Sequence, residues 1–366
     1  MTLDRIEVSG FKSIRELKLD LRSLNVLIGA NGSGKSNFIE IFEVLNNVVA
    51  GNFQLYVAVK GGANSLLYYG QKTTEEVEIK LLYGPNAYCC TWVPAANDTL
   101  VFRNERIDYY KPETSPPLSD FSASAGHKES RMSENAESLP DEMQSEVLDS
   151  LKSWKVYHFH DTSQSATVKK ARDINDNIYL RPDAGNLAAF LFLLRKTKNE
   201  YYVAIRDTVR LVAPFFDDFL LRPRPENENM IRLEWREKWS DYPFQAYHLS
   251  DGTLRFICLA SLLLQPEMPS TILIDEPELG LHPYAIVVLA ALMKSAAKRT
   301  QLIVSTQSVS LVNQFEAEDL LVVERKERDH KYETAIRRVD SEKLGAWLEE
   351  YALGELWEKN VLGGRP

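Results

Sequence analysis

The sequence has 366 residues, of which 44% are hydrophobic and 26% are charged. This length corresponds to one large domain or two, and the composition excludes a globally disordered chain. The formal net charge of -9 argues against a uniformly basic protein that coats nucleic acid, although it leaves room for a local basic patch.

Membrane and disulfide classes are also disfavoured. The longest apolar runs, Leu187–Leu194 and Phe256–Leu264, are far shorter than the ~20 residues that span a bilayer. The opening residues, MTLDRIEVSG, alternate in polarity and lack the apolar core of a secretory signal. Cys89 and Cys90 are adjacent, Cys258 is distant, and no CxxC spacing occurs. We therefore predict a cytoplasmic protein with no membrane partner, in a reducing compartment.

The predicted elements begin with strands. Within Leu3–Leu27, the stretches DRIEVSGF and IRELKLDL each alternate in polarity and indicate half-buried strands. The apolar run Leu24–Ile28 leads into a glycine-rich loop, and Ser36–Ala50 follows as a helix with one apolar stripe. Turn residues separate three further predicted strands, as in an antiparallel meander: Glu75–Tyr83, Tyr88–Val93 and Thr99–Ile107.

Composition changes over residues 111–150, which are rich in Ser, Glu and Pro. Because such a segment buries little apolar surface, we predict an acidic, flexible insertion, with a helix in its last part at Asp141–Trp154. A strand at Lys155–Phe159, a helical stretch at Asn186–Leu211 and a strand at Met230–Trp235 follow.

From Leu249 onward strands and helices alternate. The predicted order is strand Thr271–Ile274, helix Pro283–Lys298 and strand Gln301–Ser305, and the uninterrupted apolar strands are typical of a sheet covered on both faces. Apolar residues at four-residue spacing predict a last helix, in which Leu344 pairs with Leu348 and Trp347 with Tyr351.

The glycine-rich loop carries the first chemical motif. Residues 29–36, GANGSGKS, fit GxxxxGK[ST] and lie between a predicted strand and a predicted helix. Glycines let backbone N–H groups converge on phosphate oxygens, and the N-terminus of the helix adds positive potential. Lys35 is placed to contact the β and γ phosphates, and Ser36 to ligate Mg²⁺. We therefore predict that ATP and Mg²⁺ are bound by Gly29, Ala30, Asn31, Gly32, Ser33, Gly34, Lys35, Ser36 and Asn37.

Two acids follow a later apolar strand in TILIDEPELGLH, residues 271–282. In a parallel sheet, Asp275 would lie beside the phosphate loop and hold the Mg²⁺ shell. Glu276 would point in another direction and position or deprotonate the attacking water. The simpler alternative is an exposed acidic turn. The presence of a phosphate loop in the same chain argues against this alternative.

A second glycine motif, Leu249–Thr253 (LSDGT), precedes these acids by about 25 residues. It resembles the ABC signature, written LSGG in transporters, with Asp251 in the third place. That resemblance implies that Ser250, Asp251 and Gly252 contact the γ-phosphate held by a partner subunit, at the N-terminus of another helix. AAA+ and RecA-like ATPases have no such element between their two motifs, so the motif order favours an ABC-type head.

The strand QLIVSTQSVSLV ends at the position where ABC proteins usually carry a histidine that touches the γ-phosphate, and this chain has Gln307 there. An amide can hydrogen-bond the phosphate or the water but cannot carry a proton. We therefore list Gln307 with Lys35 and Glu276 as catalytic residues and expect slow or partner-dependent turnover.

The chain as a whole resembles prokaryotic ATPases related to the SMC, RecF and OLD groups, and more narrowly a bacterial group of single-domain AAA-family "predicted ATPases". The carrying stretches are IEVSGFKSI, the phosphate loop, LSDGTLRF, IDEPELGLHP, STQS, NLAAFL and LGELWEKNVLGGRP. The resemblance implies an α/β P-loop NTPase of the ABC-ATPase type, with a mixed parallel core sheet, an antiparallel β subdomain and a helical insertion.

Within that fold we divide the chain into five segments. They are an N-terminal part of the head (1–110), the acidic insertion (111–150), a helical and strand lobe (151–248), the C-terminal part of the head (249–340) and a C-terminal helix and tail (341–366).

The resemblance also suggests minor contacts. Lys12 stands where such proteins place a basic or polar residue near the nucleotide. A Q-loop glutamine that reaches the metal is assigned to Gln164, with Gln71 as the alternative. His158 and His160 alternate along a strand, which explains the pair without a metal.

The implied assembly is a homodimer that sandwiches ATP and acts as a nucleotide-driven switch. Basic clusters at Lys169–Arg172 and Arg325–Arg328 raise DNA as a partner, in repair or antiphage defence. The alternatives are a regulatory ATPase that controls an effector protein, such as a toxin or nuclease, and a nucleotide-binding protein without turnover. The intact Asp275 and Glu276 argue against the last.

Overall fold

A computed structural model describes residues 2–110, 118–123, 125–132, 142–345 and 347–365. Much of the acidic insertion, which was predicted to be flexible, therefore lies outside the described residues. The helix predicted near its end is confirmed, since residues Glu142–Ser153 are helical.

Strands β1 to β18 follow in chain order among the described residues. They are Arg5–Phe11, Ile14–Asp20, Leu24–Ile28, Val77–Tyr83, Asn86–Ala95, Thr99–Tyr109, Leu118–Ala123, Lys155–Tyr157, Arg172–Asp173, Phe216–Phe219, Pro223–Arg224, Asn227–Ile231, Glu234–Glu237, Phe244–Gln245, Thr271–Asp275, Gln301–Thr306, Leu320–Arg328 and Lys331–Arg338.

Helices α1 to α12 are numbered in the same way. They are Lys35–Val49, Phe53–Val59, Ala63–Leu66, Glu142–Ser153, Leu187–Thr197, Asn199–Val212, Asp251–Leu264, Pro283–Ala296, Val309–Val312, Ser341–Leu344, Trp347–Glu350 and Leu353–Glu358.

The chain divides into two compact units. The first unit comprises Met1–Val156, Pro269–Leu273 and Glu316–Pro366, and the second comprises Tyr157–Met268 and Ile274–Phe315. Each unit contains part of the motif set, so each is described separately.

An antiparallel sheet in the order β2-β1-β4-β5-β6-β7 belongs to the first unit. Its β4, β5 and β6 form the predicted meander, which is confirmed by antiparallel registers such as Ile79 opposite Cys90. Alternation explains its two faces: in β1 the apolar Ile6 and Val8 are buried, whereas Arg5 is exposed.

The phosphate loop of the first unit starts from a parallel strand pair. β17 pairs in parallel with β3, with Leu320 opposite Val26, and β18 pairs antiparallel with β17. All five residues of β3 are buried, as the uninterrupted apolar run predicts for a strand covered on both faces. α1 buries Phe42, whose ring lies 5.0 Å from that of Trp154. A rigid strand and a buried helix therefore flank the loop.

The second unit packs α5, α6, α7 and α8 against one another and carries two small sheets, β10-β13-β14 and β11-β12-β9. The helical stretch predicted at Asn186–Leu211 is confirmed, and it consists of two helices, because the chain leaves helical geometry at Lys198 (φ -140°, ψ 59°) between α5 and α6. The strand predicted at Met230–Trp235 likewise belongs to β12 and β13, which lie in different sheets.

The single helix predicted from the Leu344 and Trp347 pairs is wrong. α10 ends at Leu344, and Gly345 follows with a φ of 31° that a helix does not contain. α11 starts again at Trp347. The Trp347–Tyr351 contact is nevertheless present, with ring centroids 5.9 Å apart.

The last described residues fold back on β17. The Trp357 indole N–H donates to the Gly364 carbonyl at 2.6 Å, and the Gly364 N–H donates to the Glu324 carboxylate at 2.9 Å. Gly363 has a φ of 81°, and a Cβ added there would lie 2.3 Å from that carboxylate. Glycine is therefore required at this position for the segment to dock.

The cysteines and the helices of the fold bear on two features of the composition. All three cysteines are free thiols and buried. Within the described ranges, none of the helices combines the length and apolar character that crossing a bilayer requires.

Candidate functional site

The phosphate loop connects β3 to α1 in the first unit. Gly34 precedes α1 with a φ of 112°, and Gly32 has a φ of 75°, so both positions favour glycine. Among the described residues no side chain caps the start of α1. A helix N-terminus that no side chain caps, preceded by glycines at positive φ, is the geometry of a phosphate site.

Lys35 is turned back over the loop that precedes it. The residue is only 6% exposed, and its ammonium donates to the carbonyls of Gly29 at 2.6 Å and Ala30 at 3.1 Å. A buried ammonium bonded to neutral carbonyl oxygens would gain from a nearby anion. Ser33 Oγ is buried in the same loop without a hydrogen-bond partner among the described residues. These groups fit a polyphosphate.

A chain of hydrogen bonds supports the loop from β18. Asn37 Nδ2 donates to Ser13 Oγ at 2.6 Å, Ser13 Oγ lies 2.7 Å from Thr334 Oγ1, and Thr334 Oγ1 donates to the Ser33 carbonyl at 2.9 Å. A Cβ on Gly34 would lie 2.0 Å from Thr334 Oγ1. Sequence reasoning missed Ser13 and Thr334, because 301 residues separate Thr334 from Ser33 and no local motif marks it.

Lys12 lies at the end of β1 and forms an ion pair with Glu40 of α1. Glu40 also accepts from Tyr56 Oη at 3.1 Å and lies 3.2 Å from Lys60 Nζ. The Lys12 side chain is therefore engaged with the helix that follows the phosphate loop. Its predicted contact with the nucleotide stays a prediction.

The two predicted catalytic-site acids stand at the end of β15, in the second unit. Ser305 Oγ of β16 donates to Asp275 Oδ1, and the Glu276 N–H donates to the Ser305 carbonyl at 2.9 Å. Gln307 Nε2 donates to Glu276 Oε1. Glu276 has a φ of 41°, a conformation that costs energy for a residue other than glycine and that concentrates at functional sites. β16 and the Gln307 that follows it therefore orient the two carboxylates.

Glu278 is a third carboxylate that sequence reasoning missed. It is 8% exposed, and its Oε1 accepts from Thr306 Oγ1 at 2.5 Å and from the Gln307 N–H at 3.2 Å. Its Oε2 has no hydrogen-bond partner in the described part of the chain. Burial raises the pKa of Glu278 above its ordinary value. Its contact with Gln307 links it to the predicted catalytic pair.

The predicted signature begins α7. Ser250 caps the helix, since its Oγ accepts from the Thr253 N–H at 3.1 Å. A Cβ on Gly252 would lie 2.2 Å from the Gly280 carbonyl, so packing alone already requires glycine there. Arg255, also missed, donates to the carbonyls of Phe159 at 2.9 Å and of Leu279. It ties α7 to the loop that follows the two acids.

The glutamines proposed for a Q-loop are both exposed. Gln164 lies in a loop of the second unit between Ser163 and Ser165, whose hydroxyls are 3.0 Å apart. Gln71 belongs to the first unit, where its Nε2 donates to Asp98 at 3.2 Å. The cleft at Asp275 and Glu276 is lined by His160 instead. The choice between the two glutamines remains a prediction.

The donors for a metal were also examined. Among the described residues, no group of three or more His, Cys, Asp and Glu side chains is arranged to hold an ion by itself. The oxygen donors Ser36 and Asp275 are nevertheless the kind that Mg²⁺ prefers when it keeps several waters and is shared with substrate phosphates. Each of these two residues therefore offers an oxygen of the kind that suits Mg²⁺ delivered with a nucleotide.

Comparisons with known proteins identify AAA domains in the chain. Residues 92–313 match the family described as "AAA domain, putative AbiEii toxin, Type IV TA system", and residues 1–178 match an AAA ATPase domain. A search of curated proteins gives no match.

Solved structures of SMC heads are similar in fold. The Smc head bound to the C-winged helix domain of ScpA has a TM-score of 0.61 at 15% identity, covering 94% of this chain and 99% of that chain. The Smc head with an extended coiled coil, bound to the C-terminal domain of ScpA derived from Pyrococcus furiosus, has a TM-score of 0.55 at 14% identity. That match covers 95% of this chain and 99% of the other.

The fold and the phosphate loop define a P-loop NTPase of the ABC-ATPase type, similar in fold to SMC heads, and the predicted fold class is confirmed. The first family match extends over more than half of the chain. The chain therefore belongs to that family of AAA-domain proteins, and the predicted resemblance to SMC- and RecF-like AAA ATPases is confirmed.

Proposed function

We propose that the protein binds and hydrolyses Mg–ATP between two copies of the chain and acts as a nucleotide-driven switch. The observation that carries the proposal is Glu276, held at a φ of 41° with its carboxylate oriented by Gln307. A strained acid after a buried strand, in a chain that also has a phosphate loop, fits the residue that prepares water for attack on the γ-phosphate.

The residues have separate roles in this proposal. Lys35 exchanges its carbonyl partners for phosphate oxygens, and Glu276 orients the water and accepts its proton. Ser36 and Asp275 would hold Mg²⁺, which when bound neutralises charge on the phosphate oxygens. Gln307 offers a neutral amide and cannot take a proton, so we expect slow turnover or turnover stimulated by a partner.

The signature supports a dimer. Ser250, Asp251 and Gly252 form the start of a helix of 14 residues, where N–H groups and the helix dipole favour an anion. In the ABC arrangement that the sequence resembles, this anion is the γ-phosphate bound by the other subunit. Each nucleotide would then hold two chains together, and hydrolysis would release them.

Light scattering with Mg–ATP tests the switch. Glu276→Gln keeps the size of the side chain and removes the base, so the variant should accumulate as an ATP-bound dimer. Lys35→Ala should remain monomeric and bind no nucleotide. Gln164→Ala is measured beside these two variants to test the Q-loop candidate. A monomeric Glu276→Gln variant that binds ATP would refute the dimer, and phosphate release by this variant at the wild-type rate would refute the role of Glu276.

The output of the switch has two candidates: DNA, in repair or antiphage defence, and an effector protein such as a toxin or nuclease. The basic clusters give limited support to DNA. Lys169 is buried, and in the other cluster Lys326 lies 3.5 Å from Glu324 while Arg328 lies 3.9 Å from Glu333. The family description names a toxin of a type IV toxin–antitoxin system, which favours the effector protein.

A pull-down separates these outputs. Wild-type and Glu276→Gln proteins are incubated with Mg–ATP, and the captured nucleic acid and protein are both measured. DNA that is captured with ATP and lost steeply with added salt would support the DNA output, because phosphate contacts release counterions. A specific protein captured only with ATP, without DNA, would support the effector.

A further inference from the structure

The third residue of the signature is an acid, which creates an electrostatic problem for the proposed function. Asp251 is the first residue of α7, and its side chain is 66% exposed. A carboxylate at this position interacts favourably with the helix dipole. The same carboxylate repels a phosphate that approaches the end of the helix, and like charges brought together at an interface strongly oppose binding.

Lys169 lies beside this acid. Its side chain is only 4% exposed, and its Nζ lies 3.8 Å from Asp251 Oδ1. The ammonium also donates to the Thr162 carbonyl at 2.6 Å and lies 5.9 Å from the centre of the Tyr247 ring. All four residues belong to the second unit.

Burial makes the position of this lysine informative. Lysine is rarely buried unless its charge is compensated, since loss of hydration is costly. A carbonyl oxygen and a distant ring face supply no full negative charge. Asp251, whose side chain is mostly exposed, supplies one. The buried cation and the exposed acid therefore form a pair whose net charge is close to zero at the start of α7.

We infer that Lys169 is a positioning residue of the signature, which neutralises Asp251 so that this end of α7 accepts the γ-phosphate held by a second copy of the chain. The inference rests on the proposed dimer. It explains how an acidic signature can work where the transporter motif has glycine, and it assigns a nucleotide-dependent role to part of the Lys169–Arg172 cluster.

The test uses the Glu276→Gln background, in which the parent dimer is measured first. Lys169→Met keeps an unbranched side chain of similar length and removes its charge. We expect the ATP-dependent dimer to dissociate ~10-fold or more readily, because Asp251 then loses its ion pair with Lys169. Binding of a fluorescent ATP analogue to the monomer should be unchanged, since this binding depends on the phosphate loop.

The decisive variant removes both charges. Lys169→Met combined with Asp251→Gly should restore the dimer to within ~3-fold of the parent, as expected for two coupled residues in a double-mutant cycle. Asp251→Gly alone, which leaves the ammonium in place, should dimerise at least as well as the parent. Asp161→Asn is the matched control, because it removes an exposed carboxylate near Lys169 that lies outside the signature.

Each outcome decides the inference. An unchanged dimer in Lys169→Met overturns it, and so does a weakened dimer that Asp251→Gly does not restore, because a purely structural lysine would behave in that way. If Lys169→Met does not fold, a weaker dimer in Asp251→Gly alone overturns it. If the Glu276→Gln parent forms no dimer with ATP, the proposed function itself has failed, and this inference is withdrawn with it.

Discussion

Replacing Thr334 with valine tests whether β18 holds the phosphate loop in its binding geometry. Thr334 is 2% exposed, and its hydroxyl is the middle of the chain that runs from Asn37 through Ser13 to the Ser33 carbonyl. Valine has nearly the same shape, so the substitution removes the hydrogen bonds and leaves the packing in place. The Ser33 carbonyl then loses the donor that reaches it from β18.

The expected size follows from this lost bond. A buried polar group left without its partner costs about 1–3 kcal/mol. If that free energy is lost from the loop conformation that binds phosphate, the apparent Kd rises in proportion to the smaller competent fraction. A free-energy change of about 1.4 kcal/mol corresponds to a tenfold change in Kd. If the whole cost falls on ATP binding, the Kd for ATP therefore rises ~5-fold for the smaller cost and ~150-fold for the larger one.

Fluorescence anisotropy of a labelled ATP analogue with Mg²⁺ measures this change. Thr334→Ser is the matched control, because it keeps the hydroxyl and removes only a methyl group. We expect the serine variant to bind within ~3-fold of wild type, since exchanges that keep the buried hydrogen bonds cost little. A valine variant that binds as tightly as wild type would refute the support role, and equal losses in both variants would assign the effect to methyl packing.

Three further outcomes are expected. Because burial raises the pKa of Glu278, its ionisation destabilises the fold as pH rises through that pKa. Glu278→Gln should therefore be more stable than wild type to urea at pH 8, and the difference should disappear near pH 4. A difference that does not depend on pH would contradict this. Burial raises the pKa of Cys89 to about 11 and of Cys258 to about 12, so the native protein should react slowly with a thiol reagent at pH 8 and fully after denaturation; fast labelling of the native form would contradict it. Gly363→Ala should lower Tm by several degrees, from ~1–3 kcal/mol of backbone strain and the clash with Glu324. Gly84→Ala, where φ is 56° and no atom lies within 4 Å of the added Cβ, should lower it less.

Local chemistry made the motifs predictable. The phosphate loop, its strand and its helix are specified by consecutive residues, because glycines at positive φ and the start of a helix are short-range requirements. The meander was predictable for a similar reason, since alternating polarity encodes a sheet with one buried face. The sequence resemblance added the ABC class, which the phosphate loop alone does not distinguish from other P-loop NTPases.

Tertiary contacts explain what was missed. Nothing near Thr334 or Ser13 in the sequence marks a partner of the phosphate loop, because that role exists only where β18 meets the loop. Glu278 reads as an ordinary acid in PEL and becomes distinctive only through burial. The helix breaks at Lys198 and Gly345 were not predicted for a similar reason. Apolar spacing continues across both breaks, and periodicity alone does not reveal a change of backbone conformation.

The inward turn of Lys35 has a consequence for what the loop selects. The carbonyls of Gly29 and Ala30 accept hydrogen bonds from the ammonium, so an incoming ligand competes with the chain's own oxygens. The affinity then reflects the difference between two sets of bonds. A lone inorganic phosphate must displace the same carbonyls as a nucleotide but gains fewer contacts in return. The loop would thus remain responsive to ATP in the presence of abundant free phosphate, with selectivity arising before any contact to the base.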